Sequence, residues 1–270
     1  GLVDLNRVAQ DGMRVRASAG AASFRRRPTL EEAYAEAQAQ VEALRAELDE
    51  DPGAENRRQQ KARERAARER AQRIKEALER LPELEAKKKP EDRGKARCST
   101  TDPTATVMKT ADGGFRPAYN FQFCTATNSQ VIVGVDVETT GSDAGQAVPM
   151  VEQLEERYET TPDQVLIDGG FAQHDQIDAL EAPEKDCTVY APVPKPRDPK
   201  VDRHAPKPGD SPAVAAWRAR MATEQAKAIY KERAATAECV NAQARNRGLY
   251  QLRVRGLLKV KAVALWYALA

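Results

Sequence analysis

Three acids of this chain, Asp11, Asp168 and Glu238, stand in settings suited to metal-assisted phosphoryl chemistry. Val165-Leu166-Ile167 runs straight into Asp168, and Gly169-Gly170 follows at once. A short apolar run bounded by turn residues reads as a buried strand. Asp168 then lies at the strand's C-terminal end, where open α/β sheets place ligands. The two glycines leave room beside its carboxylate. The alternative is a strand-end aspartate that caps the next helix. Asp11 falls in a loosely alternating stretch, 5–17, which reads as a strand. The alternative there is an Asp11-Gly12 hairpin turn of type I′. Glu238 lies late on a long C-terminal helix. Two aspartates on a mixed sheet, with a glutamate from a crossing helix, suit a pair of divalent cations. Two such ions about 3.5–4 Å apart clamp the attacking and leaving oxygens of a phosphoryl displacement. Carboxylates suit the hard Mg2+ ion.

The elements that must position these acids follow from periodicity. Thr29 is a candidate N-cap, and Leu30, Tyr34, Ala37, Val41, Leu44 and Leu48 recur at helical spacing. Asp51-Pro52-Gly53 is expected to end that helix, and a second is predicted over 54–81. This helical hairpin has a charged second arm, which reads as a solvated face or as arginines meeting phosphates. After a Thr101-Asp102-Pro103 turn, residues 119–126 and 130–138 predict a β-hairpin. A helix over 143–158 leads to the strand ending at Asp168. A short helix over 174–180 and a short strand over 187–191 complete a mixed sheet with helices on its faces. Residues 192–212 are Pro-rich and read as a flexible loop. One long helix is predicted over 213–246. A last helix, 257–270, is nearly all apolar and is expected to be buried. The expected division is 1–28 as the first strand of one domain, 29–97 as a helical insertion, and 98–270 as the rest.

Composition narrows the function classes. Charged residues make up 31% and aromatics 5%, which implies one real core plus a polar helical region. A net charge of +2 does not by itself imply nucleic acid, but local basic clusters are what phosphates feel. There is no run of 18 apolar residues and no leader pattern at the N-terminus, so no membrane partner is expected. Four scattered cysteines, with no CxxC pair, argue against a zinc site and a disulfide scaffold. They fit a reducing cytoplasm. The chain begins at Gly1 and stops inside an apolar helical pattern, so a piece of a longer protein is expected.

Five motifs in order carry a resemblance. Asp-Gly-Met-Arg-Val-Arg-Ala-Ser-Ala at 11–19 is similar to a "DGTKxxAxA" pattern. Thr101-Asp102-Pro103-Thr104-Ala105 with Met108 is similar to "TDPDAxxM". Tyr119-Asn120-Phe121-Gln122 matches "GYNxQ" in part, and Ile167-Asp168-Gly169-Gly170-Phe171 resembles "ADxGY". The stretch from Glu238 to Tyr250, then Arg255-Gly256 and Val260, resembles a third-acid helix with its "RG…V" tail. Together they resemble the catalytic part of a bacterial insertion-sequence transposase of the DDE, RNase H-like superfamily.

That resemblance implies an α/β fold: an RNase H-like mixed sheet flanked by helices, with a long helical hairpin inserted after the first strand. It implies that Asp11, Asp168 and Glu238 bind two Mg2+ ions, with Mn2+ as a substitute. Asp102 is the alternative first acid. Metal-activated water would cleave at the element's end, and the freed 3′-OH would attack target DNA. The implied partners are terminal-repeat DNA, target DNA and a second copy of the chain, in the bacterial cytoplasm at the nucleoid. Arg245, Arg247, Arg253, Arg255 and Lys259 are the implied DNA contacts.

Some such enzymes carry Tyr-x2-Arg-x3-Glu-x6-Lys. Here Tyr230 and Arg233 precede Glu238 with one residue extra, and Arg245 holds the Lys position. On a regular helix the slip turns Tyr230 and Arg233 by about 100° from Glu238. Met13 and Thr104 also depart from the pattern, and a Cys-rich insert found in many relatives is missing before Glu238. A truncated, inactive DNA-binding or assembly remnant is the alternative function, and a simple nuclease a third. His174 reads as a helix-surface residue, His204 as a loop residue, and Asp136, Glu138 and Asp143 as surface or N-cap acids.

Overall fold

In the computed structural model, which describes residues 3–50, 56–110, 112–198 and 200–270, the chain forms two compact units. The first comprises Gly1–Val15, Asn120–Tyr250 and Lys261–Ala270. The second comprises Arg16–Tyr119 and Gln251–Val260. The first is an α/β unit built on a mixed sheet.

In the first unit, β1 (Arg7–Arg16, whose last residue belongs to the second unit) is one unbroken strand. Asp11-Gly12 therefore lies inside a strand, and the hairpin-turn alternative does not hold. Strands β2 (Phe24–Arg25), β3 (Cys98–Ser99) and β4 (Thr106–Lys109) belong to the second unit. Strand β5 (Phe115–Ala126) pairs antiparallel with β6 (Ile132–Glu138), which is the expected hairpin. Strand β7 (Gln164–Leu166) lies parallel to β1, and β8 (Thr188–Tyr190) parallel to β7. The strand order in this unit is β6-β5-β1-β7-β8. Val8, Val165, Leu166, Ile167, Phe171 and Val189 are fully buried in its core, as the continuous apolar run before Asp168 demands.

At Gly134 on β6 an added Cβ would lie 2.5 Å from Met150 Sδ and 3.0 Å from Cys124 Cβ. Gly134→Ala is expected to destabilise by about 1–3 kcal/mol through overpacking. A lowered urea midpoint at unchanged slope checks this.

The helices of the second unit come first in the chain. Helix α1 (Arg27–Glu50) starts before Thr29, so Thr29 is a first-turn residue and not the cap. Pro28 explains the shift, because its fixed φ suits a first turn. Helix α2 (Arg57–Ala86) runs past the expected end, through Pro82. The Asp51-Pro52-Gly53 break lies outside the described residues. Arg27 meets Glu85, Gln40 meets Arg70 and Arg45 meets Glu64, which gives α1 and α2 an antiparallel order. Leu30, Ala37, Ile74, Ala77 and Leu81 form their buried seam.

In the same unit Asp102 is fully buried. Its Oδ1 accepts from Tyr119 Oη at 2.7 Å, Thr104 Oγ1 at 3.1 Å and the Gly256 amide at 3.2 Å. Burial pushes the Tyr119 hydroxyl far up, so it stays a donor.

The later helices return to the first unit. Helix α3 (Ala147–Tyr158) begins after Asp143, which is therefore not its cap. Helix α4 (His174–Leu180) keeps the expected bounds. The helix expected over 213–246 is broken into α5 (Pro212–Ala222), α6 (Glu224–Arg233), a π turn (Ala234–Glu238) and α7 (Cys239–Asn246). Thr223 makes the first break. Its backbone is extended, with ψ 147°, and its hydroxyl accepts from the Ala226 amide as a new N-cap.

The Pro-rich stretch before α5 is pinned. Asp210 pairs with Arg218 at 2.7 Å, each side chain only 5% exposed, and His204 Nδ1 lies 3.2 Å from the Arg218 carbonyl. His204 is thus not a free loop residue. Helix α8 (Leu257–Leu269) departs most from expectation. Val260 and Ala264 are buried, but Leu258, Trp266 and Leu269 are 85%, 72% and 82% exposed. Apolar residues all round a helix mark no single face, so periodicity could not say which side is covered. Among the described residues no helix is long and apolar enough to cross a membrane. All four cysteines are free thiols.

Candidate active site

The parallel register of β1 on β7 sets the first pair of acids. Arg7 lies opposite Gln164 and Ala9 opposite Leu166. Continued by two residues, that register brings Asp11 level with Asp168. Side chains alternate along a strand, so Arg7 and Asp11 share one face of β1. Arg7 there binds Glu232 at 2.6 Å. Asp11 meets the next residue along, Arg233.

Arg233 gathers all three acids. Its Nη2 lies 2.8 Å from Asp11 Oδ1 and 4.0 Å from Asp168 Oδ2, and its Nη1 lies 2.9 Å from Glu238 Oε1. Asn241 on α7 donates to the other Asp11 oxygen at 2.8 Å. The Arg233 side chain is only 9% exposed, whereas Asp168 and Glu238 are 40% and 57% exposed. Burial works against the guanidinium charge, but Asp11, Tyr230, Asp168 and Glu238 more than offset it and hold Arg233 protonated. Burial raises the Asp11 carboxyl above its ordinary range; Arg233 opposes the rise and Asp168 adds to it. Burial likewise raises the Tyr230 hydroxyl.

The π turn corrects the expected rotation. It spans Ala234–Glu238 and stacks residues five apart instead of four. The extra residue between Arg233 and Glu238 is absorbed there, and the two side chains pair directly. Arg233 and Tyr230 therefore keep company with Glu238, where a regular helix would turn them away.

Asp168 does not cap α4, whose N-cap is Gln173. It instead closes its own turn, with Oδ1 accepting from the Gly170 amide at 2.7 Å. An added Cβ at Gly170 would lie 2.9 Å from that same oxygen, so the glycine does leave room for the carboxylate. His174 is exposed and stands 3.3 Å from Arg218, edge-on to Trp217.

The opposite face of β1 carries an acid that sequence reasoning missed. Asp143 is buried. Its Oδ1 accepts from Asn120 Nδ2 at 2.7 Å and Gln122 Nε2 at 2.8 Å, and its Oδ2 pairs with Arg14 at 2.7 Å. A Cβ at Gly12 would lie 2.2 Å from Asp143 Oδ1, which is why glycine follows Asp11. The sequence offered only a trace of it, in Asn120 and Gln122 at alternate positions that share one face of β5. Asp136, by contrast, pairs with Lys261.

The five expected DNA contacts are all exposed and divide between the units, Arg245 and Arg247 in the first and Arg253, Arg255 and Lys259 in the second. Asp102 belongs to the second unit's buried network described above. Among the described residues no three acids, histidines or cysteines stand close enough together to hold a metal as they are. The guanidinium of Arg233 lies between Asp11, Asp168 and Glu238. In donor type the set fits, because Asp11, Asp168 and Glu238 offer only carboxylate oxygens, the ligands hard divalent cations prefer.

Residues 184–270 match the family model described as "Transposase DDE domain". The matched stretch holds Arg233, Glu238 and Asn241, and neither aspartate. No curated protein and no solved structure matches the chain.

Proposed function

We propose that this chain is a DDE-type transposase and uses Asp11, Asp168 and Glu238 to hold a pair of divalent cations, Mg2+ or in its place Mn2+, for cutting and joining DNA. The observation that carries the reading is the meeting of three carboxylates, from β1, the turn after β7 and the π turn after α6, on the single cation of Arg233. Three carboxylates set against one guanidinium suit a doubly charged ion. Bound there, the cations supply an activated water and offset charge on the attacking and leaving oxygens.

The protein's own residues do the positioning. The β1–β7 register holds the two aspartates side by side. Asn241 fixes one oxygen of Asp11 and leaves the other directed at Arg233. Arg233 holds the Asp11 and Glu238 carboxylates in place, and its guanidinium would be free to serve a DNA phosphate when the acids hold metal. Asp102 is left out of this set, since its hydrogen bonds tie it to Tyr119, Thr104 and Gly256. A mixed sheet with its first strand internal supports the RNase H-like reading of the fold. The DNA partners are the element's terminal repeats and the target, and bringing two ends together asks for a homodimer.

Purified protein with Mg2+ is expected to nick duplexes that end in the element's terminal repeats, and to do nothing in EDTA. Joining assayed separately from cleavage distinguishes a transposase from a simple nuclease. No cutting at any divalent-ion concentration would leave only the DNA-binding remnant.

A further inference from the structure

We infer that the second unit carries its own groove for the phosphate backbone of duplex DNA, formed by α2 and the segment Gln251–Val260. The inference rests on DNA being the substrate and adds a site the acids do not use. A cleft of about 950 Å³ opens there within this one unit. Its cations are Arg68 and Arg73 from α2 with Arg253, Arg255 and Lys259 from the C-terminal segment. Among the described residues only two acids, Glu69 and Glu76, line it as well. Some cations of α2 are matched by acids, Lys75 by Glu79 and, in the cleft itself, Arg68 by Glu64 at 4.0 Å. In the cleft, Arg73, Arg253 and Lys259 have no ion-pair partner among the described residues, and the buried Arg73 Nε has no hydrogen-bond acceptor there. Burial, and then the neighbouring Arg255, lower the Arg73 guanidinium from its ordinary value. Arg73, whose Nε–H is unsatisfied, and Arg255 line the same open cleft, which calls for an anion even with Glu69 and Glu76 near Arg73.

Two sequence motifs that the catalytic acids leave unexplained meet at this cleft. Thr101 and Pro103 line it, and between them the buried Asp102 accepts from the Gly256 amide. Gly256 adopts a positive φ of 85°, which a side chain would resist. Asp102 thereby fixes the turn between Arg255 and Lys259, and Arg255 Nε is held on the Ser18 carbonyl. Asp102 is a positioning residue for the groove. The extent of the charge favours a polymer over a small anion: Arg68 and Arg73 lie five residues apart, about 7.5 Å along a helix. That rise spans roughly two phosphate charges of one strand, which recur about every 3.4 Å along the duplex axis.

The test is fluorescence anisotropy of a labelled DNA duplex against the full chain across roughly 50–200 mM salt. The double variant Arg73→Gln/Arg255→Gln is expected to bind at least about tenfold more weakly, with a salt slope smaller by about 1.8. Lys259→Gln, on an exposed side chain, is expected to lower the slope by about 0.9 and covers the case in which the double variant fails to fold. Variants that keep the wild-type affinity and slope overturn the groove while leaving DNA as the substrate. A wild-type chain that binds no DNA overturns the substrate reading and the groove with it. An RNA duplex bound more tightly than DNA, with the same losses in the variants, overturns the choice of DNA.

Discussion

Asp168→Ala is expected to cut DNA cleavage by at least a hundredfold while leaving DNA affinity within about twofold. The size follows from its place. Even residues that only support a metal ligand cost about 10–100-fold when removed, and Asp168 is proposed as a ligand itself. The selectivity follows from its surroundings. Asp168 is 40% exposed, and among the described residues its Oδ1 bonds only to the Gly170 amide of its own turn, so its loss breaks little of the fold. Its carboxylate lies at the far edge of the Arg233 cluster, 4.0 Å from the guanidinium. Single-turnover cleavage and anisotropy on the same preparation check this. Equal loss of both activities, or retained cutting, contradicts the assigned role.

The second large effect is on stability. Arg233→Ala is expected to cost about 3 kcal/mol in metal-free buffer, because removing one partner of a buried ion pair leaves the other charge uncompensated. Nearly all of that comes through Asp11, whose side chain is 17% exposed. Glu238 and Asp168 are more solvated and add little. The pH dependence has a definite sign. Asp11 already titrates above its ordinary value of 3.8, so its contribution is full below that value and is lost as the pH rises through the folded value. Removing Arg233 removes the main group opposing the rise, so the variant should lose stability on going from acid to neutral pH more steeply than the wild type. Added Mg2+ should restore part of the loss by binding only the folded form. Thermal melts with and without Mg2+, at several pH values, read all of this. A variant as stable as the wild type in EDTA, or one indifferent to Mg2+, removes Arg233 from the centre of the site.

How much of this was legible depends on whether local chemistry or tertiary contact decides. The strand before Asp168 was readable because an apolar run followed by Asp-Gly-Gly has few other solutions. Helix α4 was readable because its short apolar spacing lies between clear turns. The break at Thr223 was missed because a threonine inside a helical pattern acts as a cap only when its hydroxyl wins the Ala226 amide from the helix. The π turn was visible as a one-residue slip, but a regular helix was the wrong geometry in which to place it. Asp143 was passed over because nothing local distinguishes it: Asn120 and Gln122 sit more than 20 residues away in sequence. Helix α8 was expected to be buried on composition alone, yet Trp266 and Leu269 face outward.

The most direct test of the central claim is an anomalous difference map from crystals soaked in Mn2+. The expected result is a peak between the carboxylates of Asp11 and Asp168, within reach of Glu238, with the Arg233 side chain moved off them. A map with no peak there, and Arg233 still bonded to Asp11 and Glu238 in protein that cuts DNA, contradicts the assignment of these three acids as the metal site.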